Sequence, residues 1–101
     1  MPTYNQQVTK MESNKVIDLI ICELKKAEEK HPGWPTDRIH AVSIIAEEVD
    51  EAMQEAIDIT YFQNGSEERL IKELAQTGAM AIRALKSIEL QRKEDTVQAA
   101  C

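Results

Sequence analysis

The chain has 101 residues and a mass of 11.4 kDa, which is enough for one domain and no more. Hydrophobic residues make up 43% and charged residues 30%, a composition typical of globular proteins and not of disordered or membrane-spanning ones. The net charge of −6 argues against a nucleic-acid partner, because binding to a phosphate backbone depends on Lys and Arg. No apolar run approaches the roughly 18 residues of a transmembrane helix, and the N-terminus lacks the apolar segment of a signal peptide. We therefore expect no membrane partner and a cytoplasmic location.

The negative charge is concentrated in the middle of the chain. Residues 39–68 contain eight Asp or Glu and no Lys or Arg, whereas the remaining 71 residues carry 12 basic and 10 acidic side chains. The whole acidic excess therefore lies in one segment.

Local signals predict three helices and no strand. Thr9 and Glu12 form a capping box, S/T-x-x-E, which predicts a first helix over about residues 10–30. The following HPGWP, residues 31–35, has two prolines and one glycine and predicts a loop.

The second helix is predicted from about Arg38 to Phe62, with Thr36 or Asp37 as its cap. Residues 63–66 form a turn, and Ser66 caps a third helix that extends to about residue 93. The whole chain is thus one all-α domain with a core at about 10–93 and a polar tail at 94–101.

The short connection at 63–66 predicts an antiparallel hairpin of the second and third helices, with the first helix packed across it. Three helices usually leave one apolar face uncovered, so we expect a homodimer or a dimer of dimers that completes a larger, four-helix-type bundle. The predicted core positions are those with helical spacing: Val16, Leu19, Ile20, Cys22, Leu24, Ala27, Ile39, Val42, Ile44, Ile45, Val49, Met53, Ala56, Ile57, Leu70, Ile71, Leu74, Ala75, Met80, Ile82, Leu85 and Ile88.

Acidic side chains on the second and third helices are predicted to converge. Glu48 and Glu51 are three residues apart, and Glu47 and Glu51 are four apart, so each pair is adjacent on the helix surface. Glu73 and Gln76 are also three apart, and in a hairpin centred on residues 63–66 they reach the level of Glu51, since each residue rises 1.5 Å.

Carboxylate and amide oxygens without Cys or His suit a hard divalent cation, Mg²⁺ or alternatively Mn²⁺. The competing interpretation is a solvated acidic face, which is the usual fate of a charge run. Two observations favour the metal site: Glu73 and Gln76 lie at the same level of the predicted hairpin as Glu51, and the segment that contains the acids has no basic partner.

The pattern Glu47-Glu48-x-x-Glu51 followed by Glu73-x-x-Gln76 resembles the MazG-like family of the all-α nucleoside triphosphate pyrophosphohydrolases, whose signature is EExxE, a loop, and ExxD. The phrases HPGWP-x-D-x-x-HAVSIIAEEVDEA and KELAQTGAMAIRAL are similar to small stand-alone MazG-like proteins of phages and mobile elements. The resemblance covers roughly residues 28–88.

The resemblance implies hydrolysis of a nucleoside triphosphate between its α and β phosphates, in house-cleaning of nucleotide pools. Glu48, Glu51 and Glu73 match the magnesium-binding carboxylates. Glu47 matches the preceding glutamate, which ligates the metal or orients water, and it is our candidate for the catalytic base. Gln76 departs from the family's Asp; its amide has no charge, although its oxygen can still bind a metal.

Four further residues are candidates for substrate binding. Arg83, two turns beyond Gln76, is either a phosphate ligand or a surface arginine lying along apolar side chains. Trp34 either stacks on a base, as aromatic residues near this point do in the family, or plugs the end of the bundle. Lys72 and Lys86 are weaker phosphate candidates.

Three functions therefore stay open. The first is a Mg²⁺-dependent nucleotide pyrophosphohydrolase, and the second is a non-catalytic module that binds metal or nucleotide, because of Gln76. The third is a helical interaction protein whose acids form only a solvated face.

Overall fold

The computed structural model describes the backbone of residues 6–95 and the side chains of residues 13–93. This part of the chain forms three α-helices and no strand: α1 (Gln6–Lys30), α2 (Arg38–Ile57) and α3 (Glu67–Asp95). A π-helical turn, Asp58–Phe62, continues α2. The prediction of an all-α fold is confirmed. None of the described helices contains an apolar stretch that could cross a membrane.

The predicted start of α1 is wrong. The helix begins at Gln6 and runs through Thr9, because no glycine or proline interrupts it there. The side chains of Thr9 and Glu12 lie outside the described residues. At the other end the backbone N–H of His31 still donates to the Ala27 carbonyl at 2.8 Å, and Pro32 then cannot supply the next donor.

The signals around α2 act as predicted. The Asp37 side chain accepts a hydrogen bond from the backbone N–H of His40 at 2.9 Å and caps the helix N-terminus. After the π-helical turn, Gln63 adopts a left-handed backbone with φ of 52°. The N–H of Asn64 donates to the Asp58 carbonyl at 2.9 Å and closes the turn.

Glu55 fastens the hairpin between α2 and α3. Its carboxylate accepts hydrogen bonds from the backbone N–H of Ser66 at 2.7 Å and from Arg69 Nε at 3.3 Å. The Ser66 bond, reinforced by Arg69, lowers the pKa of Glu55 despite partial desolvation. Ser66 Oγ accepts from the Arg69 N–H at 3.3 Å and caps α3 as predicted. Gly65 lies so close that an added Cβ would be 2.9 Å from the Glu55 carbonyl oxygen.

Helix α3 lies between the other two and packs against both. The core is small: Leu24 of α1 and Ala79 and Met80 of α3 are buried together. The contact of α1 with α3 is close at Gly78, where a Cβ would be 3.1 Å from Ile20. Partly buried apolar side chains complete this core: Ile20, Ala27, Trp34, Ile44, Ile45 and Ile82.

Many predicted core positions are exposed in the single chain. Ile39 has 80% of its surface exposed, and about half of the surface of other large apolar side chains is exposed on every helix. The physical reason is that the apolar residues occupy more than one stripe of each helix. Among the described residues, α1 packs mainly against α3, and α2 packs against α3 and the π-helical turn that continues it. The exposed predicted core positions are Val16, Leu19, Cys22, Ile39, Val42, Val49, Met53, Ile71, Leu74 and Leu85.

Candidate functional site

Three glutamates from two helices converge in the structure. Carboxylate oxygens of Glu48, Glu51 and Glu73 all lie within 4.8 Å of one another. Helical spacing places the first two on one face of α2, and the antiparallel packing of α3 brings Glu73 opposite them. The predicted convergence of these three side chains is therefore present.

Burial and mutual repulsion make this cluster unfavourable when every member is ionised. Desolvation raises the pKa of Glu48, and the charges of Glu51 and Glu47 raise it further. Desolvation also raises the pKa of Glu73, and a shared hydrogen bond with the Glu51 carboxyl group and the charge of Glu51 add to this. Both shifts have the direction expected for carboxylates that lack a counter-charge.

Two oxygens of the cluster are buried without a hydrogen-bond partner among the described residues. They are Glu48 Oε2 and Glu73 Oε2. Buried polar atoms in folded proteins are nearly always satisfied, and a divalent cation would satisfy both and offset the repulsion. The cluster contains oxygen ligands alone, which suits Mg²⁺ or Mn²⁺ better than zinc. The residues present therefore fit the predicted ion.

Gln76, the predicted fourth ligand, contacts α1. Its Nε2 donates to Glu23 Oε1 at 3.4 Å, so the amide nitrogen faces α1. Glu23 has 13% of its side-chain surface exposed, and its second oxygen is 3.4 Å from Lys26 Nζ. Sequence reasoning missed Glu23. The signal was its spacing, because it lies between Ile20 and Leu24 on the inward stripe of α1, where an acidic residue is unexpected.

An open cavity of about 570 Å³ adjoins the cluster, a size typical of small-molecule sites. Its wall brings together Glu48 and Gln76 with four basic side chains contributed by α1 and α3. Acidic and basic groups therefore face one space. The residues that line it are Glu23, Lys26, Ala27, Lys30, His31, Gly33, Trp34, Pro35, Ile44, Glu48, Lys72, Gln76, Met80 and Arg83.

Arg83 is not the surface side chain that one interpretation predicted, because just 6% of it is exposed. Its Nη2 donates to the carbonyl oxygens of His31 and Gly33, the latter at 3.0 Å. The guanidinium carbon lies 4.9 Å from the ring centre of Trp34, within the range of a cation–π contact. Arg83 thus ties the 31–35 loop to α3. Guanidinium carries five N–H groups, and among the described residues no bond is formed by its Nε or Nη1, which are available for a ligand.

Trp34 lies where the bundle core meets the cavity. The ring is half-buried and packs against the core residues around Met80, as a plug of the bundle end would. It also lines the cavity, and its Nε1 is buried with no acceptor within the described residues. The ring position is thus compatible with both predicted roles.

The other candidates lie at different distances from the cavity. Lys72 is exposed and lines it. Lys86 does not line it, and its Nζ is 2.8 Å from Glu28 Oε2 at an exposed position. Glu47 is exposed on α2, outside the three-carboxylate cluster.

Comparison of the chain with family models, curated proteins and solved structures gave no match. The functional interpretation therefore depends on the geometry of the site and on the motif resemblance.

Proposed function

We propose that the protein is a Mg²⁺-dependent nucleoside triphosphate pyrophosphohydrolase that converts a (deoxy)nucleoside triphosphate and water into a monophosphate and pyrophosphate. The observation that carries the proposal is that buried oxygens of Glu48 and Glu73 have no hydrogen-bond partner in the part of the chain that the structure describes. Both residues belong to the glutamate cluster, and Glu48 also lines a cavity with basic walls. A metal ion together with a polyphosphate supplies both the positive charge that the cluster lacks and the negative charge that the basic residues bind.

Glu48, Glu51 and Glu73 would hold the ion. Bound Mg²⁺ would neutralise phosphate oxygens and lower the pKa of a water molecule. In the proposed reaction, the water oxygen would form a bond to the α phosphorus as the bond from that phosphorus to the bridging oxygen breaks, and pyrophosphate would leave. Glu47 is the proposed acceptor of the water proton, since an exposed carboxylate next to Glu48 is free to take it and pass it to solvent.

The basic residues of the cavity would bind the phosphate chain. Lys72 lies on α3 with Arg83, and the free Nε and Nη1 of Arg83 are suited to bidentate contact with phosphate oxygens. Trp34 offers an aromatic face for the base. Lys86 does not line the cavity and pairs with Glu28, so the geometry gives no support to its predicted contact with phosphate.

The setting proposed for this activity is the cytoplasm, in house-cleaning of nucleotide pools, and the active form is a homodimer or a dimer of dimers. The exposed apolar side chains of all three helices support an assembly of this kind.

A non-catalytic module that binds metal and nucleotide is the second candidate. The bond from Gln76 to Glu23 favours it, because an uncharged amide turned toward α1 adds no negative charge to the cluster. One bound ion with three carboxylates would then position a nucleotide without activating water.

The test is product analysis from a panel of ribo- and deoxynucleoside triphosphates with Mg²⁺, Mn²⁺ or EDTA in ¹⁸O-labelled water. The proposal requires equal amounts of monophosphate and pyrophosphate, with the label in the monophosphate. Glu48→Gln should abolish turnover, whereas Asp50→Asn, an exposed acid of the same helix, should not.

Other outcomes are equally informative. Label in orthophosphate would mean attack at another phosphorus and would contradict the proposal. Metal-dependent thermal stabilisation by nucleotide without products would establish the binding module. No response to metal or nucleotide would leave the acids as a solvated face.

A further inference from the structure

Glu23 is a mostly buried carboxylate whose polar contacts are weak. Both its distances, to Gln76 Nε2 and to Lys26 Nζ, are 3.4 Å, longer than the usual 2.7–3.2 Å of such bonds. Lys26 is itself 65% exposed and solvated. Among the described residues, Glu23 thus makes only these two long polar contacts, at the wall of the cavity that Glu48 also lines.

The contact with Glu23, although long, favours one orientation of the Gln76 amide. A carboxylate only accepts hydrogen bonds, so the NH₂ group must face it and the carbonyl oxygen occupies the other branch of the amide. Gln76 follows Glu73 by three residues and is adjacent to it on α3. The amide oxygen is thus the atom of Gln76 that remains to serve the glutamate cluster.

We propose that Glu23 is a positioning residue of the metal centre, which orients Gln76 so that its carbonyl oxygen serves the ion or its water. This inference rests on the proposed function, since it requires the ion to bind at Glu48, Glu51 and Glu73. In this arrangement Gln76 of α3 supplies a neutral oxygen to the metal site, and Glu23 of α1 supplies the negative charge that accepts the hydrogen bond from the Gln76 amide.

Because the two side chains are in contact, the effect of a substitution at residue 76 on metal affinity should depend on the charge at residue 23. An aspartate at position 76 would face the Glu23 carboxylate, and two like charges in contact repel each other. Replacing Glu23 by glutamine removes that repulsion. The negative charge can therefore be on α1, at residue 23, or on α3, at residue 76. We expect Glu23→Gln and Gln76→Asp together to restore the metal affinity that each substitution alone lowers or fails to improve.

The experiment measures Mn²⁺ affinity by calorimetry, in the absence of nucleotide. Glu23→Gln should weaken binding about tenfold, the lower range for residues that orient a metal ligand. Glu29→Gln, which removes the same charge from an exposed site on α1, should have little effect. Circular dichroism and the thermal midpoint in EDTA establish that each variant is folded, and Glu23→Asp, which keeps the charge, should weaken binding less than Glu23→Gln.

The double variant provides the sharper test. Gln76→Asp should improve Mn²⁺ affinity at least about threefold more in the Glu23→Gln background than in the unmodified chain, within the coupling measured for contacting residues. Strict additivity of the two changes would overturn the proposal, as would a Glu23→Gln affinity equal to that of Glu29→Gln.

These experiments distinguish failure of the positioning role of Glu23 from failure of the proposed enzymatic function. Loss of Mn²⁺ binding in Glu48→Gln but not in Glu23→Gln overturns the role of Glu23 and leaves the proposed metal site standing. Weakened binding in Glu23→Gln without hydrolysis of any triphosphate supports that role and contradicts the catalytic function. An unmodified protein that binds no Mn²⁺ overturns both.

Discussion

Glu73→Gln should stabilise the metal-free protein, although it removes a predicted metal ligand. Coulomb's law at the 4.8 Å limit of the cluster gives a repulsion of about 0.9 kcal/mol per pair in water and about 3.5 kcal/mol at an effective dielectric constant of 20. Glu51 is exposed, and Glu48 and Glu73 are only partly buried, so solvent screens the cluster and the lower figure applies. Two relieved contacts then give about 1–2 kcal/mol, or a thermal midpoint higher by at least about 4 °C.

The assay is thermal unfolding followed by circular dichroism in EDTA at pH 7, at one fixed protein concentration, because assembly changes the midpoint. Asp50→Asn on α2 is the control for a change of one charge. Addition of Mg²⁺ should reverse the order, since the unmodified protein gains binding free energy and Glu73→Gln does not. A lower midpoint for Glu73→Gln in EDTA, or equal stabilisation of both proteins by Mg²⁺, would refute the reasoning.

The stability that Glu73→Gln gains in the absence of metal should depend on pH in a definite direction. The pKa values of Glu48 and Glu73 in the folded protein are raised above 4.5, so stability is lost as the pH rises from about 4.5 to those higher values. Well below pH 4.5 both groups are protonated in the folded and the unfolded state, and their repulsion is absent. The advantage of Glu73→Gln over the unmodified protein should therefore shrink as the pH falls toward 4.5.

Two further predictions concern the loops. Gly65→Ala should destabilise the protein by about 1–3 kcal/mol, because the new methyl group overlaps the backbone of the hairpin; Gly33→Ala, which meets nothing within 4 Å, is the control, and equal thermal midpoints would contradict the prediction. Arg83→Met should free the 31–35 loop and shift the fluorescence of Trp34, the one tryptophan of the chain, to longer wavelength. Lys86→Met, at an exposed ion pair, should leave the emission unchanged, and an unshifted spectrum of Arg83→Met would show that the loop does not depend on the arginine.

Local signals in the sequence were sufficient for most of the secondary structure. The Asp37 cap, the 31–35 loop and the turn before Ser66 all depend on residues a few positions apart, and each occurs as predicted. The start of α1 was the exception. A capping box permits a helix start but does not require one, and the helix continues through Thr9 because no glycine or proline lies between Gln6 and Thr9.

The spacing of residues along the helices also predicted correctly that Glu48, Glu51 and Glu73 lie close together. The helical rise and one short turn determine which residues of a hairpin lie at the same level. The core was harder to predict. Apolar residues such as Ile39 follow the helical period but stay exposed, since periodicity shows that a face is apolar and not which surface covers it.

The sequence by itself thus determined the all-α fold, the hairpin and the acidic cluster, all of which arise from short-range hydrogen bonds and the helical repeat. The tertiary structure decided which side chains of α3 contact α1 and the loop that follows it. Glu23 meets Gln76 over 53 positions of the chain, and Arg83 reaches the loop carbonyls over 50 or more. Contacts at that separation depend on how α1 packs against α3, and side-chain packing between helices is not encoded in any local pattern.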